Sequence, residues 1–209
     1  MQMDVHTDWG NATLEAPLLG RFNASNVLAV LTALLVSGAA LNEACAALAH
    51  IVPPPGRMQT LGGGEHPLVI VDYAHTPDAL EKVLATLREI AQQGRVICVF
   101  GCGGNRDPGK RPLMGRAASE GADEVWVTSD NPRNENPTAI IDAILQGMSG
   151  EPKVEPNRAR AIFEAIGHAR CGDVVLIAGK GHEDYQEIAG ERISFSDAAI
   201  ARKALEAWA

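Results

Sequence analysis

From Pro53-Pro54-Pro55-Gly56 onward the chain alternates short apolar runs with longer amphipathic stretches, and this rhythm constrains its fold more than any other feature. The apolar runs predict strands at Pro67 to Val71, Arg95 to Phe100, Asp123 to Thr128, Lys153 to Glu155 and Asp173 to Ala178. Between them lie helices Pro77 to Gln92, Pro112 to Glu120, Pro137 to Met148 and Arg158 to Ile166. Such alternation predicts an α/β domain with a doubly wound, mostly parallel sheet. Arg57 to Leu61 and a hairpin at Gln186 to Phe195 are expected to add edge strands, giving an antiparallel edge. Thr76 before Pro77, Asn136 before Pro137 and Ser196 before a last helix mark helix starts as N-caps, two of them with proline at the first helical position.

The Pro-Pro-Pro-Gly punctuation predicts a domain boundary, with residues 1–52 on one side and 53–209 on the other. Residues 1–52 read as one edge strand and two helices, Asn23 to Gly38 and Leu41 to His50, too little for a comfortable independent core, so a larger upstream remainder is expected. The most apolar stretch, residues 27–41, is shorter than the ~20 residues of a membrane span and reads as a buried helix. No basic segment precedes an apolar one at the start, so no export signal is expected.

A formal charge of −8, with no basic run and only 4% aromatic residues, argues against a nucleic-acid surface. Cys45, Cys98, Cys102 and Cys171 show neither metal-ligand spacing nor the density of a secreted disulfide scaffold, which predicts reduced thiols, a cytoplasmic location and no metal site.

In an open α/β sheet, ligands bind beyond the carboxyl ends of the strands. Four polar loops fall there: Asp72 to Pro77, Gly101 to Asp107, Ser129 to Arg133 and Gly179 to Asp184. In the third, Pro132 restrains the backbone so that Asp130 and Arg133 project from a short turn. A guanidinium fork suits a carboxylate and an aspartate suits an ammonium, so the turn is either a zwitterion clamp or a solvated Asp–Arg ion pair. Gly104 to Lys110 satisfies G-x-x-x-x-G-K, but Arg111 stands where a phosphate loop needs Ser or Thr, and Pro108 and Pro112 interrupt it. GCGGNR also lacks the third glycine of a dinucleotide fingerprint, which leaves NAD a minor alternative and lets the glycines serve close backbone approach to a ligand. Asp72 and His75 read as an acid–base pair or as capping groups, and Lys180, His182, Glu183 and Asp184 as a functional or an exposed loop. Asn23 and Asn26 read as an N-cap and its neighbour, or as amides facing a purine edge.

Taken in order, GRFNASN, PPPGRMQ, VDYAHTPDALEKVL, VFGCGGNRDPGKRPLMG, SDNPRNENP and AGKGHEDYQ resemble the Mur ligases of peptidoglycan synthesis, and among them the diaminopimelate-adding type. The resemblance implies that residues 1–52 are the end of a central ATP-binding domain and that 53–209 form a Rossmann-like C-terminal domain receiving the incoming amino acid. It implies an ATP-dependent ligase joining meso-2,6-diaminopimelate to UDP-N-acetylmuramoyl-L-alanyl-D-glutamate, with Mg²⁺, in the cytoplasm and with neither nucleic acid nor membrane as partner. A lysine-adding ligase and a non-catalytic nucleotide-binding module are the alternatives. By motif, Arg106, Asp130, Asn131, Pro132, Arg133, Gly179 and Glu183 match the family's diaminopimelate contacts. Asn23, Asn26, Arg57, Asp72, Tyr73 and His75 match its ATP side. No residue here matches a catalytic role, and the family's phosphate loop and nucleotide-sugar domain have no counterpart, so the isolated chain is expected to be inactive. Asn105 departs from the acid of GGDRD.

Overall fold

The computed structural model describes residues 1–208. The chain divides into two compact units, Met1–Pro54 and Pro55–Ala209. In the first, β1 (Gln2–Thr7) and β2 (Gly10–Glu15) pair antiparallel, followed by helices α1 (Arg21–Val36) and α2 (Leu41–Leu48). A hairpin thus replaces the single strand expected. Its turn is closed by Thr7 Oγ1 donating to the Gly10 carbonyl at 2.9 Å, with Gly10 at φ 123°. Each strand sends one fully buried side chain inward, Val5 and Leu14, too sparse a pattern to announce two strands.

The expectation that residues 27–41 form a wholly buried helix is corrected. Val27, Leu31 and Leu35, spaced four apart, form the buried stripe of α1, while Leu28, Val30 and Val36 are exposed. A helix that is apolar all round is not thereby buried all round.

The second unit carries β3 (Gln59–Gly62), β4 (Leu68–Asp72), α3 (Pro77–Ala91), β5 (Val96–Phe100), α4 (Lys110–Gly121) and β6 (Glu124–Val127). There follow α5 (Pro137–Leu145), β7 (Lys153–Val154), α6 (Arg158–His168), β8 (Val174–Ala178), β9 (Tyr185–Ile188), β10 (Glu191–Ser194) and α7 (Asp197–Glu206). Six strands form one sheet in the order β3-β4-β8-β5-β6-β7, parallel except for β3 at the edge. The β9–β10 hairpin is a separate two-stranded sheet, not the edge extension expected. Its contact with the rest of the unit includes one parallel bridge, Ile188 to Arg133.

Strands β5 and β8 are buried at every position, so both faces are covered, as a parallel sheet requires. Val69, Val71, Ile97, Val99, Val175 and Ile177 point to one face and pack with α6 and α7. The alternate residues, such as Ile70, Cys98 and Leu176, point to the other, where α3 packs on β5 and β8 and neighbours α4. The helix starts are made by local chemistry. Thr76, Asn136 and Ser196 each accept a backbone N–H, and Asn157 does the same for α6.

At the amino ends of the strands, Asp173 ties β8 to β5. Its carboxylate accepts from Arg95 N (2.9 Å), Nε (3.1 Å) and Nη2 (2.6 Å) and from Arg170 N (2.8 Å). Burial alone would raise this carboxyl, but the hydrogen bonds from Arg95 and Arg170 and the Arg95 charge outweigh it and hold it below the usual range. A depressed carboxylate contributes stability that is present above its unfolded pKa, about 3.9, and is lost as pH falls through the folded value. Asp173→Asn is therefore expected to cost about 1–3 kcal/mol at pH 7 in urea denaturation. The gap to the parent should begin to close below about pH 4 and be gone only once pH has fallen through the folded value, where the parent loses the same charge.

Candidate functional site

Because β4, β8, β5 and β6 run parallel and adjacent, the four loops at their carboxyl ends meet on one edge. They enclose an open cavity of about 600 Å³. Arg106, Lys110 and Arg133 bring positive charge to its wall, Asp107, Asp130 and Glu183 negative charge, and Tyr73 and Tyr185 aromatic surface. A pocket with both signs of charge is built for a zwitterion or for a ligand with separated charges.

The glycines let loop approach loop. Gly104 donates its N–H to the Asn131 carbonyl at 2.9 Å, and a Cβ there would collide with the Pro132 carbonyl oxygen. Gly179, at φ 115°, lies so near Asp130 that a Cβ would stand 3.1 Å from Oδ2. At Gly104 the missing side chain makes room for the turn that follows β6.

Asp130 and Arg133 do not pair with each other, so the local ion-pair reading is also corrected. Arg133 holds φ 53°, fixed by its N–H donating to the Glu187 carbonyl (3.0 Å) and its carbonyl accepting from Ala189 (2.7 Å). Its Nη1 donates to the Gly104 carbonyl at 2.8 Å and its Nε lies 3.4 Å from Glu187 Oε2, which leaves Nη2 without a partner among the described residues. Asp130 is buried instead beside Lys180, with its Oδ1 3.6 Å from Nζ and without a hydrogen-bond partner among the described residues. Burial pushes this carboxyl up; the Arg158 and Lys180 charges oppose that and those of Glu183 and Asp197 add to it.

Asn131 is buried and held at both ends of its side-chain amide. Its Oδ1 accepts from Lys180 Nζ (3.0 Å) and Glu187 N (2.9 Å), and its Nδ2 donates to Glu183 Oε2 (2.8 Å). Burial would raise the Glu183 carboxyl, yet hydrogen bonds from Lys180 and Asn131 and the charges of Lys180 and Arg133 leave it below its ordinary value. Arg106 is exposed on the cavity wall and forms no hydrogen bond or ion pair among the described residues. Pro132 is buried and lines a neighbouring cavity, so its part is to restrain the turn.

On the β4 side, Asp72 accepts from Met58 N and Ala74 N, both at 2.8 Å, and His75 Nδ1 meets the Tyr73 carbonyl at 2.8 Å. The two are not an acid–base pair. Burial raises the Asp72 carboxyl, against which the Met58 and Ala74 hydrogen bonds and the Arg57 charge act. Arg57 stacks over the Tyr73 ring at 4.7 Å, and His75 meets the same ring edge-on at 4.6 Å. In the first unit, the N-cap of α1 is Gly20, not Asn23. Asn23 sits inside the helix, donating to the Leu19 carbonyl (2.7 Å) and accepting from Asn26 Nδ2 (3.1 Å).

Lys110 opens α4 and donates to the His75 carbonyl at 3.0 Å, joining two loops, and the buried Arg111 grips Glu135 through Nη2 at 2.8 and 2.9 Å. The G-x-x-x-x-G-K spacing therefore marks a helix start rather than a phosphate cradle. Asn105, at φ 51°, donates its N–H to Glu135 and accepts from Asn134 N at 3.2 Å, so its amide completes the loop without the acid's charge. Cys102 lies in the same loop, but burial pushes its thiol up to about 12, away from the thiolate that nucleophilic chemistry uses.

Two features escaped sequence reasoning. Lys180, in a loop that also read as exposed, has no exposed surface. Arg158 and Asp197 form a fully buried pair at 2.7 Å, and Arg158 also donates to the carbonyl of Ala178, the last residue before the Gly179 loop. The two glycines flanking Lys180 were the available signal for the first. Nothing local signals a partner 39 residues away.

A family model described as Mur ligase, glutamate ligase domain, matches residues 56–181. A curated relative from Chromobacterium violaceum, UDP-N-acetylmuramoyl-L-alanyl-D-glutamate--2,6-diaminopimelate ligase, is 56% identical across 100% of this chain and 43% of its own length. The relative of the same name from Pseudomonas aeruginosa is 56% identical across 97% of the chain and 42% of its length. The chain thus spans less than half of the curated relatives it matches. A solved UDP-N-acetylmuramoyl-L-alanyl-D-glutamate--2,6-diaminopimelate ligase superposes with a TM-score of 0.73 at 43% identity, over 99% of this chain and 42% of the other. The UDP-N-acetylmuramate-alanine ligase MurC of Thermotoga maritima shares the fold at a TM-score of 0.69 and 22% identity. With four strand-end loops meeting at one charged cavity inside the matched segment and its flank, the chain belongs to the Mur ligase family through its glutamate ligase domain.

Proposed function

We propose that this chain is the amino-acid-receiving part of an ATP-dependent, amide-bond-forming ligase that adds meso-2,6-diaminopimelate to UDP-N-acetylmuramoyl-L-alanyl-D-glutamate in the cytoplasm. The observation that carries the reading is the two-signed cavity, whose wall includes Arg106 and Arg133 together with Asp130 and Glu183. Diaminopimelate has two amino-acid ends. One amine is the nucleophile, and the other end needs a cation for its carboxylate and carboxylates for its ammonium.

Residues 1–52 are assigned to the end of a central ATP-binding domain, and residues from 53 onward to the C-terminal domain. Arg57, Tyr73 and His75 offer a cationic and aromatic surface suited to a nucleotide, with Asp72 fixing their turn through Met58 and Ala74. Asn23 and Asn26 are assigned to the adenine side. No group of three or more His, Cys, Asp or Glu among the described residues is placed to hold a metal ion. The part played here is positioning: holding the amine where it attacks an activated carboxylate and keeping the site dry. On its own the chain is expected to turn nothing over.

Calorimetric titration of the chain with meso-diaminopimelate and with lysine tests the reading. Lysine lacks the distal carboxylate and leaves an arginine without its partner, so diaminopimelate should bind about tenfold or more tightly. Equal affinities, or a preference for lysine, would sink the assignment.

A further inference from the structure

Lys180 is fully buried beside the cavity without being part of its wall. An ammonium in such a place is costly unless its N–H groups find partners. Three lie around it: Asn131 Oδ1 at 3.0 Å, Glu183 Oε2 at 3.0 Å and Asp130 Oδ1 at 3.6 Å, with the Tyr185 ring at 5.5 Å. Those three partners do line the cavity, and they come from two different loops.

The arrangement orders the acidic wall. With Lys180 and the Glu187 N–H on Asn131 Oδ1, the amide must present Nδ2 to Glu183. Glu183 Oε2 is then held twice, and Oε1 has no partner among the described residues. Asp130 Oδ1, likewise without a hydrogen-bond partner among the described residues, faces the same ammonium. Two carboxylates gathered about one buried ammonium make an acidic wall, which suits an ammonium group of a ligand.

We propose that Lys180 is a positioning residue: its buried ammonium holds Asp130, Asn131 and Glu183 in the geometry and charge that receive a single ammonium group of the amino-acid substrate. This rests on the reading of the cavity as an amino-acid site. Without Lys180, Asp130 faces Glu183, Asp197 and Arg158, and Glu183 faces Asn131 and Arg133. The wall then carries one negative charge too many, and the free form takes up a proton that an incoming ligand ammonium must expel.

The test is calorimetric titration of the 209-residue chain and its Lys180→Met variant with meso-diaminopimelate, in two buffers of different ionisation enthalpy between pH 6 and 8. The parent should bind with a pH-independent affinity and no net proton exchange. The variant should bind about tenfold or more weakly at pH 7, release a proton on binding and gain affinity as pH rises. A folded variant with parental affinity and no proton release overturns the role of Lys180 alone; a parent that does not bind overturns the amino-acid reading and this role with it. A second measurement needs no variant. In a chain labelled with ¹⁵N-lysine, the shielded Lys180 Nζ resonance should shift on saturation with diaminopimelate, and an unmoved resonance at saturation also overturns the proposal.

Discussion

Arg158→Met is expected to destabilise the second unit by about 3–5 kcal/mol, a large part of the 5–15 kcal/mol that holds a typical domain together. Arg158 Nε and Nη2 donate to the two oxygens of Asp197 at 2.8 and 2.7 Å, and neither side chain is exposed. Removal of the guanidinium strands a buried carboxylate with no solvent to turn to. Burial would lower the Arg158 pKa, but Asp197, Asp130 and Glu183 together raise it, so the guanidinium stays charged. Asp197→Leu should cost a similar amount by stranding the guanidinium instead. The double variant should recover most of the loss, because two apolar side chains of similar volume avoid the desolvation that the pair must offset. Urea denaturation checks this, with each single variant losing on the order of 2 M in midpoint. Additive losses in the double variant would show that the pair is held by packing rather than by charge.

The pair also explains why this end of β8 stays in place. Arg158 Nη2 donates to the Ala178 carbonyl at 2.9 Å, so the start of α6 anchors the strand from which Gly179 and Lys180 emerge. Arg158 reaches Ala178 from beneath, and Lys180 then reaches Asn131, Asp130 and Glu183 from within. A chain of alternating charge, Asp197, Arg158, Asp130, Lys180 and Glu183, therefore runs from the helix layer to the cavity wall. Substitutions at its buried end should be felt at the wall, because neighbours in one charged network do not act independently.

Much of the fold was legible because it rests on periodicity and local chemistry. The buried strands β5 and β8 read as continuous apolar runs, and Thr76, Asn136 and Ser196 cap helices as their side-chain chemistry requires. The doubly wound, mostly parallel sheet of the Mur ligase relatives follows from those elements. What was not legible depends on pairing across long separations. The insertion of β8 between β4 and β5 brings Gly179 beside Asp130, and no local pattern reports a strand order. The same holds for Arg133, whose partner Glu187 sits on a hairpin that read as a sheet edge. Burial of ions was the other blind spot. Lys180 and Arg158 carry the most hydrophilic side chains, and only the partners gathered around them make their burial tolerable.

At Arg133 the geometry narrows what a substitution should do. Part of the guanidinium is spent on the fold, since Nη1 holds the Gly104 carbonyl and Nε faces Glu187, so under the proposed function Nη2 is the nitrogen left for a ligand carboxylate. A lysine at this position can satisfy one of these acceptors but not three directions at once. Arg133→Lys is therefore expected to weaken diaminopimelate binding about thirtyfold, and Arg133→Ala about a hundredfold, the range set by a charge-assisted hydrogen bond of roughly 2–3 kcal/mol. Lysine as ligand supplies the control, because it has no distal carboxylate for Arg133 to hold. Its affinity should change less than threefold in either variant, so the preference for diaminopimelate collapses rather than both ligands weakening together. If both ligands lose affinity equally, Arg133 acts only by pinning the Gly104 loop, and the selecting cation must be sought in Arg106, which lines the same cavity and has no partner among the described residues.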